Sequence, residues 1–231
     1  MTQFSKDQRD KYAKYSLTGT AFLTFRDIEK ILIFHDIDRS NALDFGCGFG
    51  RSTSFLFNLC GSITGADISK ESIDVAKKTH DNIKFFELNK KDMLYGEGEY
   101  TLIFSIFVTC HFSSKEELMT EMEKARKSLK KGGHIIIISM TKFLFYKNYA
   151  SVKYIDYGIN KEGEKRKVLL KDINCIVEDY YWSDGFLREC GEAAGFSCIG
   201  VHYPLGEKED NQNYKDEYIY PPSFILVLKK I

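Results

Sequence analysis

Asn41-Ala42-Leu43-Asp44-Phe45-Gly46-Cys47-Gly48-Phe49-Gly50 is the stretch on which the fold turns. Ala42, Leu43 and Phe45 make a short apolar strand interrupted only by Asp44. Gly46, Gly48 and Gly50 then remove three side chains in alternation, so the backbone can bend tightly and lie against a ligand. The run from Arg51 to Cys60 reads as a helix whose first amides face the same bend. Strand, glycine-rich bend and helix in that order make a cradle for a nucleotide-containing cofactor.

The spacing narrows the choice of cofactor. A dinucleotide fingerprint is Gly-x-Gly-x-x-Gly, whereas here the glycines are evenly spaced and position 51 is Arg, a poor match. Asp44, at the strand end, repels a diphosphate but can pair with an ammonium group directly or through water. A second strand, Ile63 to Ala66, ends on Asp67, 19 residues beyond Gly48, the usual distance for a carboxylate that accepts ribose hydroxyls. A ribose at Asp67 and an amino acid at Asp44 describe S-adenosyl-L-methionine (SAM).

With these residues the chain resembles the class I, Rossmann-like SAM-dependent methyltransferases of small-molecule type. LDFGCGFG is similar to the first motif of that family and GADIS to its second. Asn89 to Met93 and YTLIFSIFVTCHF, residues 100 to 112, extend the resemblance, which covers residues 35 to 140 well and echoes weakly to the C-terminus. It implies an α/β fold, a three-layer α/β/α sandwich around a seven-stranded, mostly parallel sheet with an antiparallel last strand between strands five and six. It implies SAM as cofactor, held by Asp44, Gly46, Cys47, Gly48, Gly50, Asp67, Ile68 and Ser105. Asp92 then accepts from the adenine amino group and Met93 packs on the ring, although the same dipeptide also reads as a plain loop.

Composition sets outer bounds. The 231 residues suffice for one domain with an appendage and a sizeable core. Lys and Arg total 33 and Asp and Glu total 33, so no global field attracts nucleic acid. Six cysteines contain no Cys-x-x-Cys pair, so neither a disulfide framework nor a metal site is expected. The longest largely apolar run, Leu102 to Cys110, is half the length of a membrane span. These features predict a cytoplasmic protein, monomer or homodimer, with no membrane or nucleic-acid partner. Cys47 reads as a small turn residue rather than a nucleophile.

The single domain carries two additions. Residues 1 to 11 are polar and expected to fray, whereas from Tyr12 the chain turns aromatic, and Phe22, Phe25, Ile28, Ile31 and Leu32 recur at helical spacing. In the resembled family such a segment folds over the cofactor, which makes residues 12 to 37 a helical lid with Tyr12, Tyr15 and Thr20 as candidates. Packing of the tyrosines against the core fits equally well. Regularity breaks again at residues 141 to 181, an aromatic-rich cap in which SVKYIDYGI and KVLLKDINCIV can pair as two strands. Trp182 belongs either to a hinge or to the acceptor wall.

Between these lie regular elements. Ser69 caps a helix from Lys70 to Thr79, Ile83 to Glu87 is a third strand, and Tyr100 to Ile106 a fourth. Ser114 opens a helix running to about Lys130, Lys131-Gly132-Gly133 stops it, and His134 to Ser139 is a strand buried on both faces. Ser183 caps another helix, Ser197 to His202 is a strand, and Ser223 to Leu228 is the last.

The chain departs from family patterns at Thr101, where an acid is frequent, and it lacks the Asn/Asp-Pro-Pro-Tyr/Phe sequence of amide and nucleic-acid nitrogen methylation. His111, just after the fourth strand, is a candidate general base, and Tyr15 of the lid is a second catalytic candidate. A histidine that merely holds the loop fits the same position. The resulting expectation is methyl transfer to an oxygen or nitrogen of a small metabolite, aligned and kept dry under aromatic rings. Lys161, Lys165, Arg166 and Lys167 leave room for a protein or RNA substrate. A catalytically silent SAM-binding domain and a nicotinamide-dependent oxidoreductase complete the alternatives.

Overall fold

Alternation of apolar strands with amphipathic helices dictates a parallel sheet, because strands running the same way need a crossover and a helix supplies it. The computed structural model describes residues 6–13, 15–88, 96–156 and 161–231. Strands β1 (Ala42–Phe45), β2 (Ile63–Asp67), β3 (Lys84–Glu87), β4 (Tyr100–Ile106) and β5 (Leu129–Met140) pair in parallel. A separate antiparallel sheet holds β6 (Val152–Tyr154), β7 (Glu164–Leu170) and β8 (Cys175–Tyr181). Then β9 (Phe196–His202) and β10 (Ser223–Lys230) complete the large sheet in the order β3-β2-β1-β4-β5-β10-β9. The last strand runs antiparallel to both its neighbours, between β5 and β9, as expected.

Helices cover both faces. On one face Leu118, Met122 and Ala125 of a helix at Lys115–Ser128, and Leu187 of another at Asp184–Ala193, pack on Leu43, Ile103, Ile135 and Leu226. The alternate residues, Ala42, Leu102, Phe104, Ile136 and Ile225, meet Phe25, Ile28, Ile31, Leu32 and Leu56 on the other. Two buried faces explain why β4 and the middle of β5 are apolar at nearly every position. In chain order the helices are α1 (Lys6–Tyr12), α2 (Thr20–Arg26), α3 (Ile28–Phe34), α4 (Arg51–Phe57), α5 (Lys70–Thr79), α6 (Lys115–Ser128) and α7 (Asp184–Ala193).

Three details differ from the sequence reading, and a fourth settles a choice it left open. Within the segment expected to fray, α1 is helical and lies on β8, with Gln8 Nε2 donating to the Ile176 carbonyl at 2.6 Å. The helix opened by Ser114 ends at Ser128, and the strand begins at Leu129, opposite Tyr100. The register then slips over Lys130–Gly133 until His134 faces Leu102. The cap has three strands instead of two, because Lys171–Ile173 makes a tight turn and Asn174 takes a left-handed φ of 45° that reverses the chain. A short polar side chain tolerates that conformation, which alternation alone does not reveal. Trp182 is a packing group: it is buried, donates from Nε1 to the Phe112 carbonyl at 3.0 Å and stacks on Phe186.

Candidate active site

The bend after β1 brings three sequence-predicted glycines together, and their duties differ. A Cβ at Gly46 would come within 2.4 Å of Val108 Cγ2, and one at Gly50 within 2.9 Å of Phe85 and His80, so both are glycine because protein fills the space. Gly48, at φ +53°, faces nothing within 4 Å. That open position lies at the wall of a groove of about 530 Å³, the size of a small-molecule site.

Beneath the bend lie two carboxylates. Asp67 Oδ2 accepts from the Gly48 amide at 2.9 Å and Oδ1 from the Ser69 amide at 2.8 Å, so the end of β2 clamps the glycine turn. Asp44 is buried on β1, where the Ser52 and Thr53 hydroxyls both donate to Oδ2 at 2.7 Å and tie α4 to the strand. Burial raises Asp44 to about 6 against the pull of those two hydroxyls, with the Asp67 charge adding to the rise. Burial likewise raises Asp67, opposed by the amides of Ser69, Gly48 and Ile68. Neither acid has an ion-pair partner among the described residues. An open glycine bend beside two acids that form no ion pair, though neither lines the groove itself, suits a cofactor that brings positive charge, as SAM does, and opposes a diphosphate.

The other sequence-predicted residues are distributed as follows. Cys47 lines the groove, but burial pushes its thiol far up, which leaves it protonated and inert as a nucleophile. Ile68 is partly buried against the core under α6 and α7. Ser105 is buried in β4 between Phe45 and Ile137. Asp92 and Met93 lie outside the described residues.

A second, apolar cavity of about 80 Å³, room for more than one water-sized group, meets the groove. Tyr12, Tyr15, Phe25, Arg51 and Phe107 line both spaces. Sequence reasoning passed over two of these. Arg51, which only spoiled the dinucleotide match, lays its guanidinium 4.7 Å from the Tyr15 ring and donates to the Tyr15 carbonyl at 2.9 Å, fastening the N-terminal segment to α4. Phe107, the residue after β4, has a φ of 55°, a strained conformation for an aromatic residue. Single-sequence patterning carries no signal for it.

Of the lid candidates, Tyr15 is buried with its hydroxyl pKa pushed far up, so it remains a donor rather than a base. Thr20 Oγ1 donates to Glu217 Oε1 at 2.6 Å and accepts from the Ser151 amide at 3.1 Å, and the same Glu217 oxygen accepts from the Ala150 amide. One buried carboxylate thus joins lid, cap and C-terminal loop.

Cys110, His111 and Asp179 line the cavity together, and their donor atoms all lie within 4.8 Å of one another. His111 sits on a tight turn, Thr109–His111, directly after β4 and Phe107–Val108. Burial lowers it to about 4, not the value near 6.5 of a free imidazole, so it is neutral through the physiological range. Asp179 comes from the cap, on the inner face of β8 with Val177 and Tyr181, and burial raises it to about 7 against a Cys110 hydrogen bond. The sequence signal that could have found it is the alternation of β8, which puts an acid where apolar residues belong.

The comparisons with known proteins agree with this geometry. Residues 43–137 match the family described as methyltransferase domain. Over 180 residues the chain is 23% identical to a demethylmenaquinone methyltransferase of Tropheryma whipplei, covering 71% of this chain and 73% of that protein. Among solved structures, the PH0226 protein of Pyrococcus horikoshii superposes with a TM-score of 0.67 at 18% identity, covering 99% of this chain and 100% of that one. A putative S-adenosylmethionine-dependent methyltransferase of Listeria monocytogenes gives 0.63 at 18% identity, covering 91% and 99%. Among the described residues no helix is long and apolar enough to cross a membrane.

Proposed function

We propose that the chain is a SAM-dependent methyltransferase, on the match of residues 43–137 to a methyltransferase domain and on the shared fold, and that it methylates an oxygen or nitrogen of a small, largely apolar molecule held under the cap. The observation that carries this reading is the junction of the two spaces: the groove over the glycine bend and the apolar cavity share walls at Tyr15, Arg51 and Phe107. SAM, when bound, supplies an electrophilic methyl group on a sulfonium. Asp67 takes its ribose hydroxyls while holding the Gly48 amide, and Asp44 sets negative charge beneath its amino-acid end. Gly48 leaves room for its backbone contact, Asp92 and Met93 take the adenine, and Cys47, Gly46, Gly50, Ile68 and Ser105 shape the bed.

The chain's own residues then align the acceptor and exclude water. Tyr15 and Arg51 stand in the walls of both the groove and the cavity, and Leu144, Val152, Val168, Leu170 and Val177 supply apolar walls for the acceptor. His111, a neutral imidazole, lines the same cavity as a polar group beside the acceptor. The chain acts as one domain, residues 12–37 forming the lid and 141–181 the cap, in the cytoplasm, as a monomer or homodimer without nucleic acid. A relative named for demethylmenaquinone favours a small acceptor over a protein or RNA.

The test begins with calorimetry. Wild type is expected to bind SAM, and Asp67→Asn, which can still accept from the Gly48 amide, to lose about a hundredfold in affinity with the loss of charge-assisted hydrogen bonds. Labelled SAM is then offered with a panel of phenols, alcohols and amines, and separately with RNA and protein. Label appearing only on the macromolecules would overturn the acceptor class; absence of SAM binding would overturn the whole reading.

A further inference from the structure

Asp179 is the one carboxylic acid among the described residues lining the acceptor cavity, and the cavity is otherwise walled by groups such as Met140, Leu144, Val152, Val168, Leu170 and Val177. It is 5% exposed and forms no ion pair among the described residues. Its cross-strand neighbour Arg166 turns instead to Glu164 and lies over the Phe145 ring. Close by, the Tyr154 hydroxyl is buried without a hydrogen-bond partner among the described residues. An acid in the wall of an apolar cavity, with Cys110 as its side-chain hydrogen-bond partner, is costly unless a ligand completes its hydrogen bonds.

We propose that Asp179 anchors the acceptor through a hydroxyl group and takes the hydroxyl proton during methyl transfer, so that the acceptor is an apolar molecule bearing a phenol or alcohol. This rests on the methyltransferase reading and sharpens it. A carboxylate against an amine would hold that amine as ammonium and occupy the lone pair that must attack, so the arrangement selects oxygen over nitrogen. As the acceptor O–H bond breaks and its O–CH₃ bond forms, the proton passes to the Asp179 carboxylate. The electron pair of the breaking S–CH₃ bond stays on sulfur, which leaves as a neutral thioether. A carboxyl that titrates near 7 is matched to accept a proton near neutral pH, whereas His111, held near 4, is the weaker base. The other titratable groups around it are Cys110 and His111 from the turn after β4, Tyr154 from β6, Arg166 from β7, Tyr181 from β8, and Tyr12, Tyr15 and Arg51 at the mouth.

The experiment needs no SAM. Binding of 4-ethylphenol and of ethylbenzene is measured by ligand-observed NMR on wild type and on Asp179→Asn, a variant of nearly the same shape, from about pH 5 to about pH 8 across the carboxyl titration. Wild type is expected to prefer the phenol by about tenfold at the upper end, the gain of one charge-assisted hydrogen bond. The preference should shrink as the pH falls, and Asp179→Asn should show a smaller preference that does not vary with pH. Equal affinity for the two probes, or the same pH dependence in Asp179→Asn, overturns the proposal. A thiolate-to-metal absorption band on adding Co²⁺, lost in Asp179→Asn, also overturns it by assigning the cluster to a cation. A phenol preference in a protein that ignores SAM would sink only the methyltransferase reading.

Discussion

Gly46 and Gly48 stand two residues apart in the same bend with left-handed φ values of +73° and +53°, yet substitution should separate them. Alanine at either position costs roughly 1–2 kcal/mol of backbone strain. At Gly46 the new methyl also collides with Val108, 2.4 Å away, which adds the cost of overpacking, roughly 1–3 kcal/mol. Gly46→Ala is therefore expected to lower unfolding stability in urea by more than Gly48→Ala. Gly48→Ala should instead show its main effect in calorimetry as weakened SAM binding, since its methyl enters the groove. Equal stability losses with equal SAM affinities would contradict the assignment of Gly48 as the open side of the cradle.

At the level of elements, α7 shows how a cap does two jobs. Ser183 Oγ accepts from the Phe186 amide at 3.2 Å and donates to Glu162 Oε1 at 2.5 Å, while Glu162 Oε2 accepts from the Ser183 amide at 2.8 Å. The start of the helix and the edge of the cap sheet are thereby one hydrogen-bonded unit. Ser183→Ala is expected to destabilise the protein by about 1–2 kcal/mol, read from the urea midpoint, with SAM affinity unchanged because the glycine bend is on other strands. A drop in SAM affinity would mean that the cap and the cofactor groove are coupled. The cap sheet itself follows binary patterning: its inner positions Val152, Val168, Leu170 and Val177 are buried, and Arg166 and Asp179 are the charged exceptions.

For the whole molecule, buried titratable groups make stability depend on pH in opposing ways. His111 falls from 6.5 to about 4 on folding, so the unfolded chain binds the proton more readily and stability is lost as pH falls through that window. Asp179 rises from 3.8 to about 7, so the folded state holds the proton more tightly and stability declines as pH climbs from about 4 to about 7. Asp179→Asn removes only the second dependence; Asp44 and His111 stay common to both proteins. The variant should gain on wild type as pH rises, by roughly 1 kcal/mol per pH unit within the window, and then level off. Urea unfolding at several pH values measures the difference, and a constant offset would show that Asp179 ionises in the fold as it does in water.

Local order was largely legible in the chain. Strand, glycine bend, helix and the acid after β2 sit close together in sequence, and their meaning is carried by periodicity and spacing that no distant residue alters. From them followed the parallel sheet, the expectation of SAM and, by resemblance to a family, the reversed last strand. The acceptor side was not legible, because it is assembled from segments far apart: Arg51 meets Tyr15, Thr20 meets Glu217, and Asp179 meets Cys110 and His111 only once the cap folds over the sheet. Burial, which no single residue carries in its name, then decides their chemistry, lowering His111 and raising Asp179. The sequence by itself pointed to the cofactor; the tertiary structure decided which groups line the cavity under the cap, since desolvation and long-range contact exist only in the folded chain.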